Sequence, residues 1–150
     1  MLAVVLLMHI LPTIISTAQM VHSIAREMVV PGASRSAEMH LRVADGLKEM
    51  GVASGDRVAV IGPGIRAYWA WLARVRIVAE VPIWAVRDFW AADAQVRRTI
   101  LDRFAEAGAK VVVYQPDTAL DQSVAASAGL EARGWQRIGM TDYYLLWLNK

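Results

Sequence analysis

Apolar and polar positions change rhythm several times along this chain, and each change marks an element. Residues 1–25 carry no Asp, Glu, Lys or Arg; the first charged side chain is Arg26. Residues 29–35, which include the helix-breaking pair Pro31-Gly32, read as a linker. A helical period then begins. Met39, Val43, Leu47 and Met50 fall on one side of a helix of about four turns. Ser36 is placed at its N-cap with Glu38 in the first turn, and Gly51 falls just past its end.

The period shortens after the Ser54-Gly55-Asp56 turn. Residues 57–61 (RVAVI) form a near-continuous apolar run, the pattern of a strand buried on both faces of a parallel sheet. Gly62-Pro63-Gly64 closes it. Residues 65–74 predict a helix carrying Tyr68, Trp69, Trp71 and Leu72, and residues 76–82 (RIVAEVP) a second strand. Residues 83–91 (IWAVRDFWA) are expected to be an aromatic-rich loop. The clearest helix covers residues 93–109, with Val96, Ile100, Leu101, Phe104 and Ala107 on one face, and residues 110–114 (KVVVY) follow as a third strand. Residues 115–134 are weakly patterned, either a loop or a segment with one short helix near 120–126. Two β-favouring runs, 135–138 and 142–148, flank Gly139-Met140-Thr141 as a closing antiparallel hairpin.

Strand–helix–strand–helix–strand with right-handed crossovers places the first strand centrally, the second on one side and the third on the other. The expected fold is therefore α/β: a small Rossmann-like, three-layer domain over residues 36–150. It has parallel strands and a terminal antiparallel hairpin on the third strand, and an N-terminal apolar helix over residues 1–28 precedes it.

That apolar segment admits three readings. Extended through Val21 it is long enough to cross a bilayer, with Thr13, Ser16 and Thr17 able to satisfy carbonyls freed at Pro12. Ser16-Thr17-Ala18 has the small-x-small form of a signal-peptide cleavage site, but no Lys or Arg precedes the apolar core. The third reading is a buried core helix. The transmembrane reading is preferred and places the protein at the cell membrane; Arg26 and Arg35, after the segment, favour a cytoplasmic domain.

Composition narrows the remaining classes. Net charge is only +2, and Arg66, Arg74, Arg76, Arg87, Arg97, Arg98 and Arg103 are read as alternating with Asp88, Asp93, Asp102 and Glu106, a solvated helical surface rather than a nucleic-acid stripe. The absence of cysteine removes disulfides, thiolate metal sites and a Cys nucleophile. His9, His22 and His40 all precede the α/β unit and show no paired metal-ligand spacing, so no metal site is expected, and His40 is read as structural or exposed rather than functional. No nucleophile elbow, Walker-type loop or zinc-protease helix occurs, and no catalytic residue is assigned. Asp56, Glu80, Asp88 and Asp93 are read as surface carboxylates.

One motif carries a mechanism. Gly62-x-Gly64-x-x-Ala67 follows a strand and opens a helix, as in dinucleotide-binding turns, where small residues let the backbone approach a pyrophosphate. Gly62, Gly64, Arg66 as a phosphate contact and Glu80 as a ribose contact form the candidate nucleotide site. The competing reading is that a strand-to-helix turn simply needs glycine. Trp69, Trp71, Trp84, Phe89 and Trp90 are either packing residues or an exposed aromatic patch for a membrane interface or a partner.

Two resemblances follow from these residues. LKEMGVASGDRVAVIGPG, WAWLARVRIVAEVP and AKVVVY are similar to the N-terminal subdomain of acyl-adenylate-forming enzymes. The Ser/Thr/Gly-rich phosphate loop with its Lys and all later catalytic motifs of that family have no counterpart here, so the resemblance does not imply adenylation. Over more of the chain, the apolar segment, GDRVAVIG, YWAWLARVRIVAEVP and GWQRIGMTDYYLLWL resemble the soluble C-terminal domain of bacterial polytopic membrane proteins, some with a glycosyltransferase-like membrane part. That implies architecture and location but no catalytic residue, with Met1 to Val21 as a last membrane helix and other transmembrane segments as partners. The preferred reading is a membrane-tethered accessory domain with no cofactor, and the alternative is a nucleotide held at the Gly62-Pro63-Gly64 turn.

Overall fold

The computed structural model describes residues 33–116, 129–130 and 133–148. The expected apolar helix over 1–28, most of the linker and the possible short helix near 120–126 lie outside the described residues. The chain divides into two units, Met1–Glu38 and Met39–Lys150, and the second holds the sheet.

The first helix, α1, runs Ala33–Glu49 and so begins three residues before the expected cap at Ser36. Ala33 is the first strong helix former after Pro31-Gly32, and the helix starts there rather than at the next hydroxyl. Its end is as expected. Gly51 has φ +92°, its N–H donates to Lys48 O, and Val52 N–H donates to Leu47 O, a Schellman closure.

β1 (Arg57–Ile61) and β2 (Arg76–Val81) pair in parallel, and β1 also pairs in parallel with β3 (Val111–Tyr114). β5 (Tyr144–Trp147) adds antiparallel to β3, and the two-residue β4 (Gln136–Arg137) adds antiparallel to β5. The order is β2-β1-β3-β5-β4, with β1 between its two parallel neighbours and the hairpin on the β3 side, as the crossover argument requires.

The uninterrupted apolar strands are explained by burial on both sides. Val58, Val60, Val111 and Val113 join Val43 and Leu47 of α1 in one core. Ala59, Ile61, Val112 and Tyr114, the alternate residues, join a second core with Phe89, Trp90 and Phe104. Each fully buried Val or Leu contributes about 1.5–3 kcal/mol of transfer free energy, so the central strands carry much of the fold's stability.

The connections depart from expectation in two places. The single helix expected over 65–74 is a 3₁₀ turn, Gly64–Arg66, then a five-residue α2, Tyr68–Leu72, broken at Ala67. The break falls at Ala67, whose ψ of 58° lies outside the helical region and whose side chain is buried in the first core. α2 ends in a second Schellman closure whose left-handed residue is Arg74, φ 56°. The expected loop at 83–91 is instead a 3₁₀ turn, Ile83–Ala85, and α3, Val86–Ala91. Val86, Phe89 and Trp90 have i, i+3, i+4 spacing, and burial of that face in the second core selects the helix. α4 is Ala94–Glu106, within the expected 93–109; Asp93 caps it by accepting from Val96 N–H at 2.8 Å.

Candidate functional site

The Gly-Pro-Gly turn sits at the carboxyl ends of β1 and β2, where open α/β sheets hold their ligands. Its geometry is occupied from within. Gly64 N–H donates to Glu80 Oε1 at 3.2 Å, and a Cβ built on Gly64 would lie 2.7 Å from Glu80 Oε2. The expected ribose residue is thus beside the turn, but its carboxylate accepts a backbone donor that a phosphate would need. A negative charge already stands there. Arg66 is exposed at the end of the 3₁₀ turn.

Gly62 has a different neighbour. Its φ is +128°, and an added Cβ would lie 2.4 Å from the Gln115 carbonyl oxygen. The backbone of Gln115, the residue after β3, therefore runs close against Gly62 at the paired ends of β1 and β3, the point where strand order reverses. The buried Gln115 side chain is fixed in turn, its Oε1 accepting from Trp69 Nε1 at 3.2 Å. Sequence reasoning missed Gln115 because a polar residue after an apolar strand looks like the start of a loop. Its burial depends on Trp69, 46 positions away.

The carboxylates are not brought together. Asp56 precedes β1 and Glu80 lies near the end of the parallel β2, which puts them at opposite ends of the sheet. Asp56 closes its own turn by accepting from Ala53 N–H at 2.9 Å and pairs with Lys110. The hydrogen bond from Lys110 holds the Asp56 carboxyl below the ordinary carboxylate value, aided by Ala53 N–H and opposed by partial burial. Asp93 serves as a helix cap, and Asp88 is exposed in the first turn of α3. Among the described residues, no group of three His, Asp or Glu is placed to hold a metal ion.

The aromatic residues separate into two sets. Trp69, Phe89 and Trp90 are buried, and Trp90 meets Phe89 and Tyr114 edge-on at centroid distances of 4.9 and 5.1 Å. Trp71 and Trp84 are 79% and 80% exposed. His40 is buried and meets Tyr68 edge to face, ring centroids 5.4 Å apart. Among the described residues no helix is long and apolar enough to cross a membrane. Comparison with protein-family models, with curated proteins and with solved structures gives no match.

Proposed function

We propose that this chain is a membrane-tethered accessory domain, Rossmann-like and three-layered. It has no catalysis of its own and packs on or regulates a membrane-embedded partner. The observation that carries this reading is the Glu80 carboxylate on Gly64 N–H. A phosphate seated on the turn would have to displace that carboxylate, or meet it at a distance where like charges repel strongly in a partly desolvated site. The tether rests on residues 1–25, which carry no charged side chain, and on the resemblance to soluble domains of bacterial polytopic membrane proteins.

A second reading, a nucleotide or nucleotide-sugar site at Gly62, Gly64, Arg66 and Glu80, draws support from the adjacency of Glu80 to Gly64. Thermal unfolding of the full chain in mild detergent, with a panel of nucleotides, dinucleotides and nucleotide sugars, separates the two. The accessory reading expects no shift. A ligand at 100 times its Kd would stabilise the fold by about 2.7 kcal/mol and raise Tm by roughly 5–10 °C. Such a shift, abolished by Gly64→Val, would replace the accessory reading by the binding one. Membrane fractionation tests the tether. The chain should stay in the pellet through an alkaline carbonate wash, and its release to the supernatant would refute the tether.

A further inference from the structure

We infer that Met140, at the tip of the hairpin between β4 and β5, is a site of reversible oxidation to the sulfoxide. Its side chain is 87% exposed, and among the described residues beyond α4 it is the one large apolar side chain that stands exposed. The tip around it is fixed. Ile138 N–H donates to Tyr143 O at 2.9 Å, and Thr141 N–H donates to Ile138 O at 3.1 Å. The buried Thr141 hydroxyl donates to the same Ile138 oxygen at 2.7 Å. Arg137 spans the turn, its Nε donating to Thr141 O and its Nη2 pairing with Asp142 Oδ1 at 2.9 Å. None of these bonds uses the methionine side chain, so the turn does not depend on the state of the sulfur.

Met39 and Met50 are placed differently. Both are half-buried and pack against the core that holds Val43 and Leu47. A thioether sulfur is soft and polarisable, and a peroxide oxidises it where it is accessible. The sulfur lone pair attacks one peroxide oxygen, and the S–O bond forms as the O–O bond breaks. The departing hydroxide takes the proton left on the transferred oxygen and becomes water. Sulfur is oxidised by two electrons and the peroxide is reduced by two. At Met39 or Met50 the product sets a polar group against an apolar core, whereas at Met140 it stands in solvent. The hairpin tip therefore turns from apolar to polar with the fold unchanged. The sulfoxide is as exposed as the thioether, within reach of the reductases that restore it.

Trypsin places these methionines in separate peptides, residues 36–42, 49–57 and 138–150. The folded full chain in mild detergent is treated with dilute hydrogen peroxide, quenched, digested and mapped by mass spectrometry. Peptide 138–150 should gain one oxygen before either of the others. Chain carrying that oxygen alone should keep the urea midpoint of the parent. Adding the two stereospecific methionine sulfoxide reductases and a thiol reductant to this folded chain should remove the oxygen. In Met140→Leu the early gain should disappear. Oxidation of Met39 or Met50 as early as Met140, or a lowered midpoint with Met140 oxidised alone, overturns the proposal. So does an early gain that persists in Met140→Leu, which would put the oxygen on an aromatic side chain of the same peptide. A sulfoxide that the reductases remove only after unfolding in urea overturns it as well.

Discussion

Alanine at Gly62 adds one methyl group in a place where the surroundings cannot yield. The new Cβ would lie 2.4 Å from the Gln115 carbonyl oxygen and 3.2 Å from Gln115 Cβ, at a backbone φ of +128°. That carbonyl cannot swing aside alone. Gln115 N–H donates to Ile61 O at 2.8 Å, and Gly62 N–H donates to Val81 O at 3.0 Å, so both are held at the sheet end. Relief means parting the ends of β1 and β3, with about 1 kcal/mol lost for the Gln115–Ile61 hydrogen bond that joins them. The conformational cost of a side chain at that φ adds about 1–3 kcal/mol. Gly62→Ala should therefore lose roughly 2–4 kcal/mol, a large share of the 5–15 kcal/mol that holds a domain together. Gly64→Ala is the contrast. Its φ lies outside the left-handed region, and the atoms its Cβ would meet, at 2.7, 2.8 and 3.1 Å, belong to the free end of the exposed Glu80 side chain. That carboxylate rotates into solvent. The lost hydrogen bond costs about 1 kcal/mol, offset by about 0.4–1 kcal/mol from a less flexible unfolded chain. The net change should be under about 1 kcal/mol, and in a Glu80→Ala background, with no hydrogen bond to lose, Gly64→Ala should stabilise by about 0.4–1 kcal/mol. Urea unfolding of the full chain in mild detergent, followed by circular dichroism and tryptophan fluorescence, measures both. Equal losses at the two glycines, or a Gly62→Ala variant as stable as the parent, would refute the reasoning.

Three further outcomes follow from the same geometry. The Asp56 carboxyl, held below its ordinary value by Lys110, contributes stability above the unfolded-state value of about 3.9 and loses it as pH falls through the folded-state value. Urea midpoints of the parent and Asp56→Asn should therefore converge on acidification below about pH 5, and parallel pH curves would contradict this. Arg74, left-handed at φ 56°, should be improved by Arg74→Gly, with Tm rising by an amount that corresponds to about 0.5–1 kcal/mol; a fall in Tm would show that the arginine side chain matters more than its backbone. Trp69→Phe removes the only donor described for Gln115 Oε1 in a fully buried site and should cost roughly 2–4 kcal/mol by urea unfolding, with an unchanged midpoint as the contrary result.

Much of the scaffold was legible because it depends on local pattern. Val58 to Ile61 and Val111 to Tyr114 are apolar at every position, and only a strand covered on both faces uses such a run. Helical crossovers between three strands leave few unknotted connections, so the strand order followed from chirality rather than from any contact. Gly51 announced the end of α1 because a helix closing through a left-handed residue favours glycine there. At Arg74 the same closure occurs without glycine, and no local signal marks it. The helical spacing of Val86, Phe89 and Trp90 was present in the sequence, but it was masked by a stretch that is aromatic throughout.

The candidate site was a different matter. A glycine permits close approach without saying what approaches. At Gly62 it is the Gln115 carbonyl, and at Gly64 the Glu80 carboxylate, groups 53 and 16 positions away that only the paired strands deliver. The tryptophans divide for the same reason. Trp69 and Trp71 are two residues apart on one short helix, and burial of Trp69 against Gln115 leaves Trp71 facing out. Sequence alone determined the strands, their order and the two long helices, because those choices follow from periodicity, turn chemistry and handedness, while the short helices at 68–72 and 86–91 did not follow from it. Only the tertiary structure decided which surfaces remain for a partner, because exposure depends on what the rest of the chain has already covered.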